Sequence, residues 1–183
     1  MLKLLLVAPT CDGEDVGEAW SAYQWTRRLA ARHEVTLLTY HKRGRKPASA
    51  QLQGLEVVEW AEPPGFGRWE RLNSILKPAY APFYFRARLW LRRALAQGRR
   101  FDVAHQLTPL AMRYPSPLAG ADLPYVLGPV GGSLSDPPGF AQERDAAPAY
   151  IGLRKLDRWR LRYDPLLRRS YERAACVVGI APY

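Results

Sequence analysis

Short apolar runs that do not alternate with polar residues constrain this chain more than any other feature. Met1–Val7 (MLKLLLV) and Glu34–Thr39 (EVTLLT) are nearly continuous. Phe101–Ala104, Pro124–Leu127 and Ala175–Ile180 (ACVVGI) are shorter examples. A strand with one wet face alternates. A run that does not alternate is buried on both faces, as in a parallel sheet covered by helices. Leu55–Trp60 (LEVVEW) does alternate and is expected as a further strand. Between the first two runs, Ala19–Ala31 carries Ala19, Trp20, Tyr23, Thr26 and Ala30 at helical spacing. Arg27 and Arg28 stand near its end, where the helix dipole favours cations. Strand, glycine loop, helix and strand make a right-handed βαβ crossover, so the expected fold is α/β and doubly wound.

In such sheets ligands sit at the carboxyl ends of strands, which directs attention to Phe101–Ser133. There one apolar run stops at His105 and a second runs into Gly128-Pro-Val-Gly131-Gly132-Ser133. His105 is either a site residue or a strand end capped by a backbone hydrogen bond. The first loop, Ala8–Glu18, holds Gly13 and Gly17. Their spacing is neither the dinucleotide fingerprint nor a phosphate loop. They hold an anion beside a helix N-terminus or only permit the turn. Asp12 and Glu18 are read equally as ligands or as helix N-terminal charges. His33, His41 and His105 are not at metal-ligand spacing, and no Asp-x-Asp occurs, so no metal site is expected.

Charge supplies a second constraint. Lys and Arg number 27 against 17 Asp and Glu, a net +10 in 183 residues. Such a balance suggests a polyanionic neighbour. Arg68–Arg100 concentrates it, with Glu70 its one acid. A helix is expected from Pro82 or Phe83, with Phe83, Ala87, Trp90, Leu91, Ala94 and Leu95 on one face. Trp69, Tyr80 and Tyr84 precede or open it, and Arg86, Arg88, Arg92 and Arg93 flank it, so a contact with an anionic membrane surface is expected. The bland alternative packs the apolar face on the sheet and solvates the arginines. No nucleic-acid motif accompanies the charge, so nucleic acid is not the expected partner. Tyr150–Ala174 is a basic helical region interrupted near Asp164-Pro165, with Leu153, Leu156, Trp159, Leu161, Leu166 and Leu167 for burial. Cys11 and Cys176 form no disulfide framework and are read as reduced, which fits a cytoplasmic protein. No stretch approaches the length of a membrane span.

Six pieces carry a resemblance: the apolar strand Leu2–Val7, the glycine-containing loop to Gly17, Arg27–Tyr40 (RRLAARHEVTLLTY), Phe101–Pro109 (FDVAHQLTP), Leu123–Ser133 (LPYVLGPVGGS) and Glu172–Tyr183 (ERAACVVGIAPY). Over its whole length the chain resembles the N-terminal domain of family 4 retaining GT-B glycosyltransferases. The resemblance implies a Rossmann-like domain over residues 1–183, facing a C-terminal domain that binds the nucleotide-sugar donor and is absent here. This half supplies the site for a sugar or lipid-linked acceptor in polysaccharide synthesis. No cofactor is implied, since the donor is a co-substrate. Gly13, Gly17 and Glu18 match the family's loop near donor phosphates and acceptor. His105 matches the first position after the fourth strand and is the catalytic candidate; Leu107 replaces the second histidine some relatives carry. Gly128, Gly131, Gly132 and Ser133 match a cleft-lining, substrate-binding loop. A place on the inner face of the plasma membrane is the expected location. The other reading of the whole chain is a non-catalytic basic module that binds a membrane or a partner.

Overall fold

The computed structural model describes residues 1–64, 77–131 and 155–180, with side chains of the last segment described from 159 onward. Trp69, Gly132, Ser133, Leu153 and Leu156 lie outside the described residues or side chains. The elements run β1 (Lys3–Thr10), α1 (Glu18–Ala30), β2 (Glu34–His41), α2 (Ala48–Gln51), β3 (Glu56–Ala61), α3 (Tyr80–Ala96), β4 (Val103–Gln106), β5 (Tyr125–Val130), α4 (Lys155–Tyr163), α5 (Pro165–Glu172) and β6 (Cys176–Gly179). The six strands form one all-parallel sheet in the order β3-β2-β1-β4-β5-β6. This is the Rossmann-like α/β arrangement. The strand order reverses between β1 and β4, and such a reversal leaves a crevice at the carboxyl edge.

The apolar runs of β1, β2 and β5 bury both faces, whereas β6, expected to be buried as well, is exposed from Cys176 to Gly179. On one face of the sheet, Leu5, Val7, Leu38, Ala104, Tyr125 and Leu127 pack against Tyr80, Phe83, Tyr84, Ala87 and Leu91 of α3. On the other, Leu4, Leu6, Val35, Leu37 and Leu107 pack against Ala22, Ala48 and Leu52. α1 meets the sheet through the small residues Ala19, Ala22 and Thr26. Trp20, expected on the buried face, is 46% exposed, because a helix lying close to a sheet has room for alanine and threonine on its central stripe but not for an indole.

α3 begins two residues earlier than Pro82. Proline is its third residue, where the missing N–H would have had no helical partner anyway. The early start corrects part of the expected membrane surface. Tyr80 and Tyr84 are 5% and 7% exposed and belong to the core, so neither ring is presented to lipid. The Tyr80 hydroxyl donates to the Pro115 carbonyl and accepts from Gln106 Nε2 at 3.4 Å. Burial pushes its phenol well above the ordinary value. Phe85 and Leu89 instead occupy the outer side of α3, with Arg86, Arg92 and Arg93 exposed around them.

The interruption at Asp164-Pro165 is a stop and restart. The Asp164 carboxylate accepts from the Leu166 and Leu167 amides at 3.0 and 3.2 Å, and Pro165 opens α5. Leu167 is fully buried, whereas Trp159 and Leu166 are exposed.

Candidate functional site

The carboxyl edge at the β1/β4 reversal is built from three pieces: the loop Cys11–Gly17, the end of β4, and the end of β5. Cys11 sits at the base of the loop. Burial pushes its thiol up to about 12, so it remains protonated at neutral pH and is no nucleophile. Asp12 is buried behind it. Its Oδ1 accepts from the Glu14 amide at 2.8 Å and from Gln51 Nε2 at 3.0 Å, and its Oδ2 is buried with no partner among the described residues. An acceptor left unmade in this way costs about 1–3 kcal/mol.

The two loop glycines do different work. Gly13 donates its amide to Gln51 Oε1 at 2.7 Å, and a Cβ there would stand 2.9 Å from the Tyr23 ring. Its amide is therefore spent inside the protein and is not free to donate to a ligand. Gly17 precedes α1 with φ +65 and open space where a Cβ would lie, and no side chain caps the helix. The first N–H groups of α1 have no helical partner, and the dipole adds partial positive charge there. Glu18 stands at that end, held by an ion pair with Lys77. Lys42 and Arg45 approach Asp15 and Lys46 approaches Glu14, so the loop before α2 is tied to the loop before α1.

His105 lies inside β4, not beyond it, in register with Leu6 of β1 and Val126 of β5. The ladder continues past it because Leu107 donates its amide to the Val7 carbonyl at 3.0 Å. Its ring meets Trp25 of α1 edge to face at 5.6 Å, and Nε2 lies 2.7 Å from the Gly128 carbonyl. A carbonyl only accepts, so Nε2 carries the proton and Nδ1 is left as an acceptor. Burial holds the imidazole below its ordinary value against the opposing pull of that carbonyl. The His105 ring is therefore neutral at pH 7.

Gly128 fits this arrangement by its backbone. Its φ is +123, and the ladder between β5 and β6 shifts register between Leu127 and Val130. Gly131 donates its amide to the Leu110 carbonyl at 2.7 Å and bridges Ala111, which ties the end of β5 to the segment after β4. The structure thus brings His105 and Gly128 into direct contact and links both to α1 through Trp25. Sequence reasoning missed Trp25, Gln51 and Lys77. They reach the loop from remote positions, and no local pattern marks them.

A pH prediction follows from His105. The unfolded chain takes up this proton at a higher pH than the folded one, so stability rises with pH across the interval between the lowered folded value and about 6.5. Urea unfolding of the wild type is expected to lose stability as pH falls below about 6.5, with His105→Gln showing a shallower loss. Equal slopes in the two proteins would refute it.

Among the described residues no three His, Cys, Asp or Glu side chains converge as a metal site. No curated protein matches the chain. The family model described as a glycosyl transferase 4-like domain, however, matches residues 16–183, nearly the whole length over which the sheet, the α1 N-terminus and His105 are laid out, and the chain belongs to that glycosyltransferase family.

Proposed function

We propose that this chain is the acceptor-binding half of a retaining glycosyltransferase. A C-terminal domain holds a nucleotide-sugar donor, whose sugar passes to a glycan or lipid-linked acceptor in polysaccharide or glycoconjugate synthesis. The observation that carries this reading is the chemistry of the β1/β4 edge. It offers a hydroxyl acceptor, His105 Nδ1, and the uncapped start of α1, and its glycines lack the phosphate-cradling pattern. A hydroxyl acceptor suits a sugar. The α1 N-terminus suits negative charge developing on a departing diphosphate. In this reading His105 orients a sugar hydroxyl through Nδ1, and Gly128 and Gly131 shape the wall beside it.

The division of labour has a direct test. The 183-residue chain, given a panel of nucleotide sugars and short glycan acceptors, is expected to transfer no sugar, while the glycans shift the His105 ring resonances. Measurable transfer by the chain alone, or a His105 response to nucleoside diphosphates and none to glycans, would sink the assignment.

A peripheral membrane position on the cytoplasmic face is the second reading. It is favoured by Phe85, 67% exposed, and Leu89, 47% exposed, one turn apart on α3 among Arg86, Arg92 and Arg93. Among the described residues no helix is long and apolar enough to cross a membrane.

A further inference from the structure

Two guanidinium groups from different helices meet over one glycine, in the helical layer on the side of the sheet opposite α1. Arg88 comes from α3 and Arg169 from α5. The Nη2 atoms of both lie within 3.5 Å of the point where a Cβ on Gly120 would stand. They are therefore no farther apart than twice that distance. Gly120 belongs to the connection between β4 and β5 and has φ +90.

Arg88 is held in place. Its Nη1 donates to the Ala119 carbonyl at 2.7 Å and approaches the Tyr84 hydroxyl at 3.4 Å, which leaves Nη2 beside Gly120. Among the described side chains of this layer, Asp164 pairs with Arg160 at 2.9 Å and Glu172 with Arg168 at 2.8 Å. Asp122 is exposed and forms no ion pair with either arginine. Arg92 and Arg173, one turn farther along, add charge of the same sign. By contrast, Lys42, Lys46, Lys77 and Arg99 each reach a carboxylate.

We propose that Arg88 and Arg169, with Gly120 as the floor, form a phosphate-binding site that takes inorganic phosphate or a phosphomonoester. Two like charges convergent over backbone call for a counter-charge. Arg88 Nη2 and the exposed Arg169 guanidinium present charge-assisted N–H donors to the same point, and a tetrahedral anion that accepts from both satisfies them together. The bare glycine belongs to the design: a Cβ at position 120 would stand 3.0 Å from Arg169 Nη2 and fill the space an oxygen needs. The site lies apart from the β1/β4 edge and does not depend on which sugar is transferred.

Inorganic phosphate, titrated at constant ionic strength and followed by the Gly120 amide resonance, is expected to give saturable binding. Arg169→Gln, an exposed position, is expected to weaken it at least tenfold with an unchanged urea midpoint. Arg169→Lys, which keeps the charge and loses the fork, should fall between. Vesicles of phosphatidylcholine with and without phosphatidic acid separate the sources. Flotation that needs phosphatidic acid and is cut by Arg169→Gln assigns a lipid headgroup. Flotation indifferent to the variant, with phosphate titration still sensitive to it, assigns a soluble phosphorylated ligand. No saturable phosphate response, or an identical response in wild type and Arg169→Gln, overturns the proposal.

Discussion

Replacing Gly128 by alanine is expected to destabilise the domain by at least about 3 kcal/mol, a large effect for one methyl group. Two costs coincide. The residue has φ +123, a region that side chains rarely enter. A Cβ would also stand 2.4 Å from the Val178 carbonyl and 3.0 Å from the Val130 amide, both backbone atoms with little freedom to give way. Relief requires β6 to move off β5 or the Gly128 peptide to rotate. The first weakens the bonds from the Ala175 amide to the Tyr125 carbonyl at 2.9 Å and from the Ile180 amide to the Val130 carbonyl at 3.0 Å. The second withdraws the acceptor from His105 Nε2. Urea unfolding and amide exchange at Ala175 and Ile180 read both effects together. A variant within about 1 kcal/mol of wild type, with those amides still protected, would refute the argument.

The same neighbourhood explains which parts of the molecule were legible in the sequence. β1, β2 and β5 announce themselves because burial on both faces demands runs such as Leu4-Leu5-Leu6-Val7, and the place of His105 next to the fourth strand is legible for the same reason. That His105 lies within the strand is not legible. Ladder hydrogen bonds belong to the backbone, and a polar side chain does not end them when a neighbour such as the Gly128 carbonyl takes its proton. α3 was legible by period, but its start was not. Tyr80 and Ala81 sit in the first turn, where Pro82 does no damage, and the Tyr80 ring turns inward where Gln106 of β4 and the Pro115 carbonyl supply partners from far along the chain. The Asp12–Gln51 and Glu18–Lys77 contacts join residues remote in sequence, and they decide which loop groups remain open to a ligand. Gly13 shows the consequence: its position was read correctly as a turn beside a helix, while its amide is already committed to Gln51.

α3 presents two kinds of aromatic surface, and paired substitutions separate them. Tyr80→Ala removes a ring that is 5% exposed and packed against Phe83, Tyr84 and Tyr114, at centroid distances of 6.3, 6.5 and 5.0 Å. A loss of about 3–5 kcal/mol is expected from the cavity and lost contacts, seen as a lower urea midpoint. Tyr80→Phe keeps the ring but strands the Pro115 carbonyl and deprives Gln106 Nε2 of its acceptor, at a cost of about 1–3 kcal/mol. The double variant Phe85→Ser, Leu89→Ser acts on the outer side of the same helix, where both residues are largely in water. Its stability is expected within about 0.5 kcal/mol per site of wild type. If α3 docks on an anionic membrane, the double variant loses flotation on phosphatidylglycerol vesicles by at least tenfold, because the apolar area it inserts is gone while the charge of Arg86, Arg92 and Arg93 remains. Tyr80→Phe, still folded, floats as well as wild type. Flotation that survives the loss of Phe85 and Leu89, or that falls with Tyr80→Phe under conditions where that variant is still folded, would place the membrane contact elsewhere.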